Sequence, residues 1–215
     1  SSIFHTPHLL PAINGAKKLI AVSSTRIYSR HYSRAQEIAR CERMIEESGI
    51  PYTIIRPTMI YGTPDDRNIS RLVRLVNRLP LIPVPTGTGS TLQPVHVSDV
   101  ATALVEAIER ESARGKTFDI AGGSAISPAE LIKIIAKALN KRVALIPVPH
   151  FLLRMIATAV KILPGRQSIA EAIRRLSEDN SVDIEPARRE LGLNPITFEE
   201  GVGNLVKEMQ AGSTS

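Results

Sequence analysis

The sequence predicts an α/β fold built on a parallel sheet, and three neighbouring segments carry this prediction. Residues 18–23 read KLIAVS, a short apolar run that ends in a small hydroxyl side chain, as buried parallel strands often do at the end that faces a site. Residues 33–48 place apolar side chains at helical spacing, and Gly49 follows as a helix stop. Residues 51–57, PYTIIRP, form a second apolar run closed by a proline. A strand, a helix and a strand at this spacing predict a βαβ unit with parallel strands and a right-handed crossover.

The rest of the chain alternates helices and short strands. An arginine-bearing helix follows the loop 63–68, and residues 81–89 read as a connection rich in proline and glycine. Ser98 is expected to cap a helix that ends near Arg110, and Ser127 opens a capping box with Glu130. The other predicted elements are strands at 93–97, 116–121 and 142–148, helices within 150–210 that include 183–192 and 198–209, and a disordered tail at 211–215.

Composition narrows the class of protein. The chain has 215 residues, of which 43% are hydrophobic and 22% charged, with a formal net charge of +6. These proportions are globular. A lone cysteine, Cys41, excludes an internal disulfide framework and predicts a reducing, cytoplasmic location. His5 and His8 have no third partner that would complete a metal site, and aromatic side chains do not interleave with the basic ones as a nucleic-acid surface requires.

The most apolar stretch is residues 143–164. It has the length of a membrane span, but His150, Arg154, Lys161 and two internal prolines interrupt it. We therefore expect a strand followed by an amphipathic helix, and no transmembrane segment.

Four stretches resemble the extended short-chain dehydrogenase/reductase superfamily, specifically the NAD-dependent epimerase/dehydratase family. They are VSSTRIY at 22–28, Glu42 with RPTMIYG at 56–62, QPVHVSDVA at 93–101, and TFDIAGG at 117–123 leading into SPAEL at 127–131. The resemblance implies part of a Rossmann-like, doubly wound parallel sheet with a smaller, mixed α/β and largely helical substrate region. It assigns 1–62 to the C-terminal part of the NAD(P)-binding domain and 63–210 to a substrate region interleaved with the last strands.

The family's glycine-rich turn is not found in this sequence, where Gly15 is the only glycine before Gly49. Because that turn holds the cofactor pyrophosphate at a helix N-terminus, the resemblance implies an incomplete site for NAD or NADP. It also implies that these residues correspond to the C-terminal part of a longer protein.

The resemblance assigns catalytic and cofactor-binding residues. Ser24, with Thr25 beside it, matches the hydroxyl that hydrogen-bonds the reacting sugar oxygen. In the family, the tyrosine acid/base stands four residues before a lysine. Tyr32 has Gln36 at the lysine position, and alignment on Glu42 does not place a tyrosine and a lysine at this spacing either. Tyr32 is therefore the candidate, with Tyr28 as the alternative. The expected cofactor contacts are Ser23, Arg56, Pro57 and Thr58.

The expected substrate contacts are Met59, Arg67, Arg71, Arg74 and Gln93. The three arginines share a helical row with Arg78, which is either an anion clamp or the solvated face of an amphipathic helix. The resemblance implies an enzyme that acts with NAD(P) on a nucleotide-linked sugar in polysaccharide synthesis, with a homodimer left open. The alternative is a non-catalytic, dinucleotide-binding scaffold or regulatory member of the superfamily.

Overall fold

The computed structural model describes residues 3–13, 15–29, 32–86, 89–149, 152, 155 and 180–211. The chain divides into two compact units. The first unit comprises Ser1–Ile60, Pro94–Gly123 and Val182–Ile196, and the second comprises Tyr61–Gln93, Ser124–Ser181 and Thr197–Ser215.

Short 3₁₀ turns accompany the regular elements at Ile3–His5, Leu10–Ile13, Thr25–Tyr28 and Glu111–Ala113. The strands are β1 (Leu19–Val22), β2 (Tyr52–Pro57), β3 (Ile60–Tyr61), β4 (Leu81–Thr86), β5 (Val95–His96), β6 (Lys116–Ile120) and β7 (Ala144–Pro149). The helices of the described residues are α1 (Thr6–Leu9), α2 (Ala35–Glu46), α3 (Ile69–Arg78), α4 (Val97–Glu109), α5 (Pro128–Ala138), α6 (Glu185–Leu191) and α7 (Phe198–Ala211).

The first unit contains a three-stranded parallel sheet in the order β1-β2-β6. Consecutive side chains of a strand point to opposite faces, and in β2 the neighbours Ile54 and Ile55 are both fully buried. Ile54 packs with Ile38 and Ile45 of α2. Ile55 packs in a separate cluster with residues of α4 and α6. Helices therefore cover both faces, which confirms the predicted α/β fold and its βαβ unit.

The second unit contains a parallel pair, β4 and β7. The interpretation of residues 81–89 as a connection was wrong over β4, where two prolines obscured a strand. Ala144 donates its N–H to the carbonyl of Pro80, so even-numbered residues of both strands face the partner. The prolines at 83, 85, 147 and 149 occupy the alternate positions, where no ladder donor is needed.

The N-caps predicted at Ser127 and Ser98 differ in outcome. Ser127 accepts a hydrogen bond from the Glu130 N–H at 3.2 Å, which confirms the capping box. The cap predicted at Ser98 was wrong, because α4 begins at Val97, two residues before the predicted start, and the side chain of His96 accepts from the Ser98 N–H. An imidazole nitrogen can take the place of the usual hydroxyl acceptor.

The amphipathic helix predicted after the strand near 143–148 lies outside the described residues, as do 212–215 of the predicted tail, while Ala211 belongs to α7. Across the described part of the chain, no helix has the length and apolar character needed to cross a bilayer.

Candidate active site at the carboxyl edge of the sheet

The carboxyl ends of the three parallel strands bring polar side chains from distant parts of the sequence to one edge of the first unit. Ser23 follows β1, Arg56 lies at the end of β2, and Asp119 lies at the end of β6. Ligands of open parallel sheets bind at this edge, because the loops there diverge and leave a crevice.

A buried carboxylate on α2 organises the edge. Ser23 donates its hydroxyl hydrogen bond to Glu42, which is 2% exposed. Arg56 grips the same carboxylate with two nitrogens, Nε at 3.0 Å from Oε1 and Nη2 at 2.5 Å from Oε2. Burial opposes the charged guanidinium, but the hydrogen bond and charge of Glu42 outweigh it and raise the pKa of Arg56. Arg56 therefore stays protonated and paired.

Tyr28 extends this network. Its phenolic oxygen accepts a hydrogen bond from Nη1 of Arg56 at 2.7 Å and donates one to Oδ2 of Asp119 at 2.9 Å. Burial, followed by the neighbouring Asp119 charge, raises the pKa of Tyr28, and burial also raises the pKa of Asp119. The phenol thus holds its proton in this arrangement, whereas a general base needs a depressed pKa.

Ser24 and Thr25 lie where the chain leaves β1 and enters the short 3₁₀ turn Thr25–Tyr28. The hydroxyl of Ser24 accepts from the Arg26 N–H at 3.3 Å and so caps the short 3₁₀ turn. Thr25 donates to the carbonyl of Pro57 at 3.4 Å, a long contact. The Ser24 hydroxyl keeps its own proton as a donor, so a ligand oxygen can still accept from it.

Tyr32 makes different contacts from Tyr28. Its ring packs against the cluster that contains Ile38 and lies 5.1 Å from the guanidinium of Arg26. Within the described residues, no lysine hydrogen-bonds to the phenol of Tyr28 or of Tyr32. The structure therefore joins Tyr28 to Ser23 and Arg56 through one network and leaves Tyr32 outside it.

The segment after β2 is fixed by backbone contacts. Thr58 donates its N–H to the carbonyl of Ile120 at 2.9 Å, and Val95 donates to the carbonyl of Met59 at 3.0 Å. Close by, a Cβ added to Gly122 would lie 2.2 Å from the carbonyl oxygen of Pro94, so only glycine fits there. Pro57, Thr58 and Met59 thus form a rigid wall of the edge.

The other predicted substrate residues belong to the second unit. Gln93 is buried, whereas Arg67, Arg71 and Arg74 are exposed. Arg67 precedes α3 instead of lying in it. Arg74 donates from Nη2 to the carbonyl of Pro64 at 2.6 Å. Arg78 is exposed as well.

Two residues of the network, Glu42 and Asp119, had been given no role in the site on sequence grounds. Glu42 stands in register with Ile38 and Ile45, the buried face of α2, and a carboxylate on such a face requires a partner. A carboxylate in an apolar helix face could therefore have been recognised from the sequence as a member of a buried polar network. Asp119 gave none, because it lies in an otherwise ordinary strand and meets Tyr28 from 91 positions away.

A parallel sheet covered by helices on both faces, with hydroxyl and charged side chains at its carboxyl edge, defines a Rossmann-like α/β protein. Residues 28–121 match the model of the NAD dependent epimerase/dehydratase family.

Individual relatives are consistent with this match. The chain is 28% identical over 172 residues to a UDP-glucose 4-epimerase of Vibrio cholerae, an alignment that covers 79% of this chain and 50% of that protein. It is 28% identical over 159 residues to the mitochondrial NADH-ubiquinone oxidoreductase 40 kDa subunit of Neurospora crassa, covering 73% and 41%. The chain therefore spans about half the length of these relatives.

The solved structure of UDP-glucose 4-epimerase from Thermotoga maritima, determined with UDP-glucose, superimposes with a TM-score of 0.71. The superposition covers 97% of this chain and 69% of that one, at 18% sequence identity. At this identity the likeness concerns the fold.

The residues at the edge can be compared with the chemistry of a dinucleotide cofactor. The Ser24 hydroxyl and the rigid Pro57–Met59 wall are compatible with the nicotinamide half of NAD or NADP, which needs neutral donors and a flat surface. Among the described residues, no glycine-rich turn after a strand is present to hold a pyrophosphate. The compatibility therefore concerns the reactive half of the cofactor.

Proposed function

We propose that this chain is the catalytic-edge portion of an NAD(P)-dependent epimerase/dehydratase-like enzyme that acts on a nucleotide-linked sugar. The observation that carries the proposal is the convergence of Ser23, Ser24 and Arg56 at the carboxyl edge of the parallel sheet. The relative that is a UDP-glucose 4-epimerase supports the choice of substrate class. A cytoplasmic role in polysaccharide synthesis, acting as a homodimer, is part of the same proposal.

In this proposal some residues at the edge orient the ligands, and others donate or accept protons. When bound, NAD or NADP supplies hydride transfer at a sugar carbon. Ser24 donates a hydrogen bond to the reacting sugar oxygen, and Thr25 supports the turn that presents it. Pro57 and Thr58 form the wall beside the nicotinamide.

Ser23 and Arg56 act as positioning residues. Their polar groups are occupied by Glu42, so they fix the ends of β1 and β2 without contacting the cofactor directly. Within the first unit, we assign Met59 as a substrate contact. Within the second unit, we assign Gln93 to the sugar and Arg67 and Arg71 to the diphosphate, since an arginine fork matches a phosphate oxygen pair.

A second function is favoured by one specific observation. The Tyr28 phenol is held between Arg56 and Asp119 with its pKa raised, which is unsuited to a catalytic base. In this second proposal the chain binds a dinucleotide and stabilises an assembly without turnover. Tyr32 remains the acid/base of the catalytic proposal.

The two functions are separated by measuring binding and turnover on one preparation. The longest reading frame that encodes these residues is purified, NAD⁺ and NADP⁺ are titrated calorimetrically, and UDP-glucose and dTDP-glucose are incubated with the protein and analysed chromatographically. Cofactor binding with a new sugar product supports the enzyme. Cofactor binding without any product supports the scaffold, and the absence of binding by either cofactor contradicts both.

A pair of serine variants adds a residue-level test. Ser24→Ala should leave cofactor affinity unchanged and lower turnover by about 100-fold, the usual contribution of a positioned proton-handling group. Ser98→Ala, an exposed serine at the start of α4, is the matched control and should retain full turnover. Equal activity of the two variants would remove Ser24 from the mechanism.

A further inference from the structure

The second unit contains a cavity that the proposed function does not use. It has a volume of about 600 Å³ and lies between α3, the C-terminal end of α5 and the C-terminal half of α7. Cavities of this size hold small organic molecules. None of its described lining residues belongs to the Ser23 and Glu42 network of the first unit.

One side of the cavity is apolar. Val73 of α3 and Val206 of α7 are both nearly fully buried, and Leu139 follows α5. These aliphatic side chains provide a surface from which an apolar molecule displaces water favourably.

The lining also carries cationic side chains. Arg74 and Arg78 stand four residues apart on α3, so their side chains project from the same face. Arg74 is oriented by its hydrogen bond to the carbonyl of Pro64. Lys141 adds a third positive charge nearby, because its ammonium group donates to the carbonyl of Asn77, another lining residue.

The charged residues that line the cavity leave the guanidinium of Arg78 available to a ligand. Arg78 forms no hydrogen bond or ion pair with any residue in the described part of the chain. Glu208 of α7 is the one carboxylate among the described lining residues. The described lining thus carries two arginines and one carboxylate, a balance that leaves a guanidinium fork for an outside anion.

We propose that this cavity binds a small organic anion with a carboxylate or phosphate head and an apolar body. The head pairs with the guanidinium groups of Arg78 and Arg74, whose planar donors match two oxygens of an oxyanion. The body lies against Val73, Leu139 and Val206. The site is distinct from the nucleotide-sugar site proposed above, so either can fail without the other.

The test is calorimetric titration of the purified protein with hexyl phosphate, with hexanoate and with uncharged hexanol. Saturable binding of either anion, at least about tenfold tighter than hexanol, is expected, since a charge-assisted hydrogen bond contributes about this factor. The tighter of the two anions identifies the head group. Hexanol binding as tight as both anions, or the lack of saturable binding by either anion, would overturn the proposal.

Charge variants give effects of opposite sign. Arg78→Gln should weaken binding of the preferred anion by about tenfold, whereas Glu208→Gln should tighten it about threefold by removing a like charge. Lys133→Gln is the matched control, because Lys133 is an exposed cation on α5 in the same unit but does not line the cavity. If Lys133→Gln weakens binding as much as Arg78→Gln, the anion is responding to general surface charge and the site is refuted.

Arg78→Lys keeps the charge but loses the planar fork, and its binding should fall between that of the unchanged protein and that of Arg78→Gln. Far-UV circular dichroism confirms that each variant is folded. Because both Arg78 substitutions are on an exposed side chain, at least one folded variant is expected for the comparison.

Discussion

The buried pair of Glu42 and Arg56 gives the sharpest prediction about stability. The side chains are 3% and 18% exposed, and Ser23 also depends on the Glu42 carboxylate for its hydrogen bond. Glu42→Gln leaves the guanidinium inside the protein with a neutral amide in place of its counter-charge. Breaking a buried ion pair from one side costs about 3 to 5 kcal/mol of unfolding free energy. Since glutamine retains one acceptor oxygen, we expect about 3 kcal/mol.

Urea unfolding followed by far-UV circular dichroism measures this loss directly. In a thermal scan, the same change corresponds to a fall in melting temperature of about 6 to 12 °C for a domain of this size. The control is Glu37→Gln, which removes the exposed ion pair between Glu37 of the same helix and Arg34 and should leave the free energy of unfolding nearly unchanged.

Replacing both Glu42 and Arg56 tests whether the loss of stability comes from an unpaired buried charge. Glu42→Leu combined with Arg56→Met should recover much of the loss, because no charge is left buried without a partner. If Glu42→Gln unfolds within about 1 kcal/mol of the Glu37→Gln control, the argument from an uncompensated buried charge is refuted.

Two further predictions concern packing and pH. Gly201→Ala should destabilise the protein by about 1 to 3 kcal/mol in urea unfolding, because the new Cβ would lie 2.1 Å from the phenolic oxygen of the buried Tyr61. Gly203→Ala in the same helix meets nothing within 4 Å and should stabilise by about 0.5 to 1 kcal/mol, and equal effects of the two would contradict the packing argument. Because burial and then Asp119 raise the pKa of Tyr28, Asp119→Asn should lower its tyrosinate midpoint in an alkaline spectrophotometric titration, and an unchanged midpoint would exclude the contribution of that charge. Protonation of Tyr28 favours the folded state, so its contribution to stability is complete below about pH 10 and is lost as the pH rises through the raised pKa.

The fold could be predicted because its strands and helices have strong local patterns. Apolar runs of strand length flank an amphipathic helix in the βαβ unit, and these local preferences agree with the tertiary structure. The strand at 81–86 was missed for a physical reason, since prolines break a ladder only at positions that must donate, and the register that spares them is set by a partner about 60 residues away.

The candidate site also has a part that the sequence predicts and a part that it does not. Ser23 and Arg56 could be placed at strand ends from the local pattern, because the carboxyl ends of parallel strands meet at one edge. The bridge from Arg56 through Tyr28 to Asp119 depends on side chains brought together by folding alone. No local pattern encodes that contact, so sequence reasoning could name Tyr28 but not its partners.

The prolines of β4 and β7 have a consequence for solubility. At the outer edges of this pair, 83 and 85 on one side and 147 and 149 on the other present ring carbons where an N–H would stand. A strand from another molecule that approached either edge would find few donors for its carbonyls. Exposed strand edges are the usual starting points of intermolecular sheet growth. The two-stranded pair is therefore protected from that route to aggregation by its own composition.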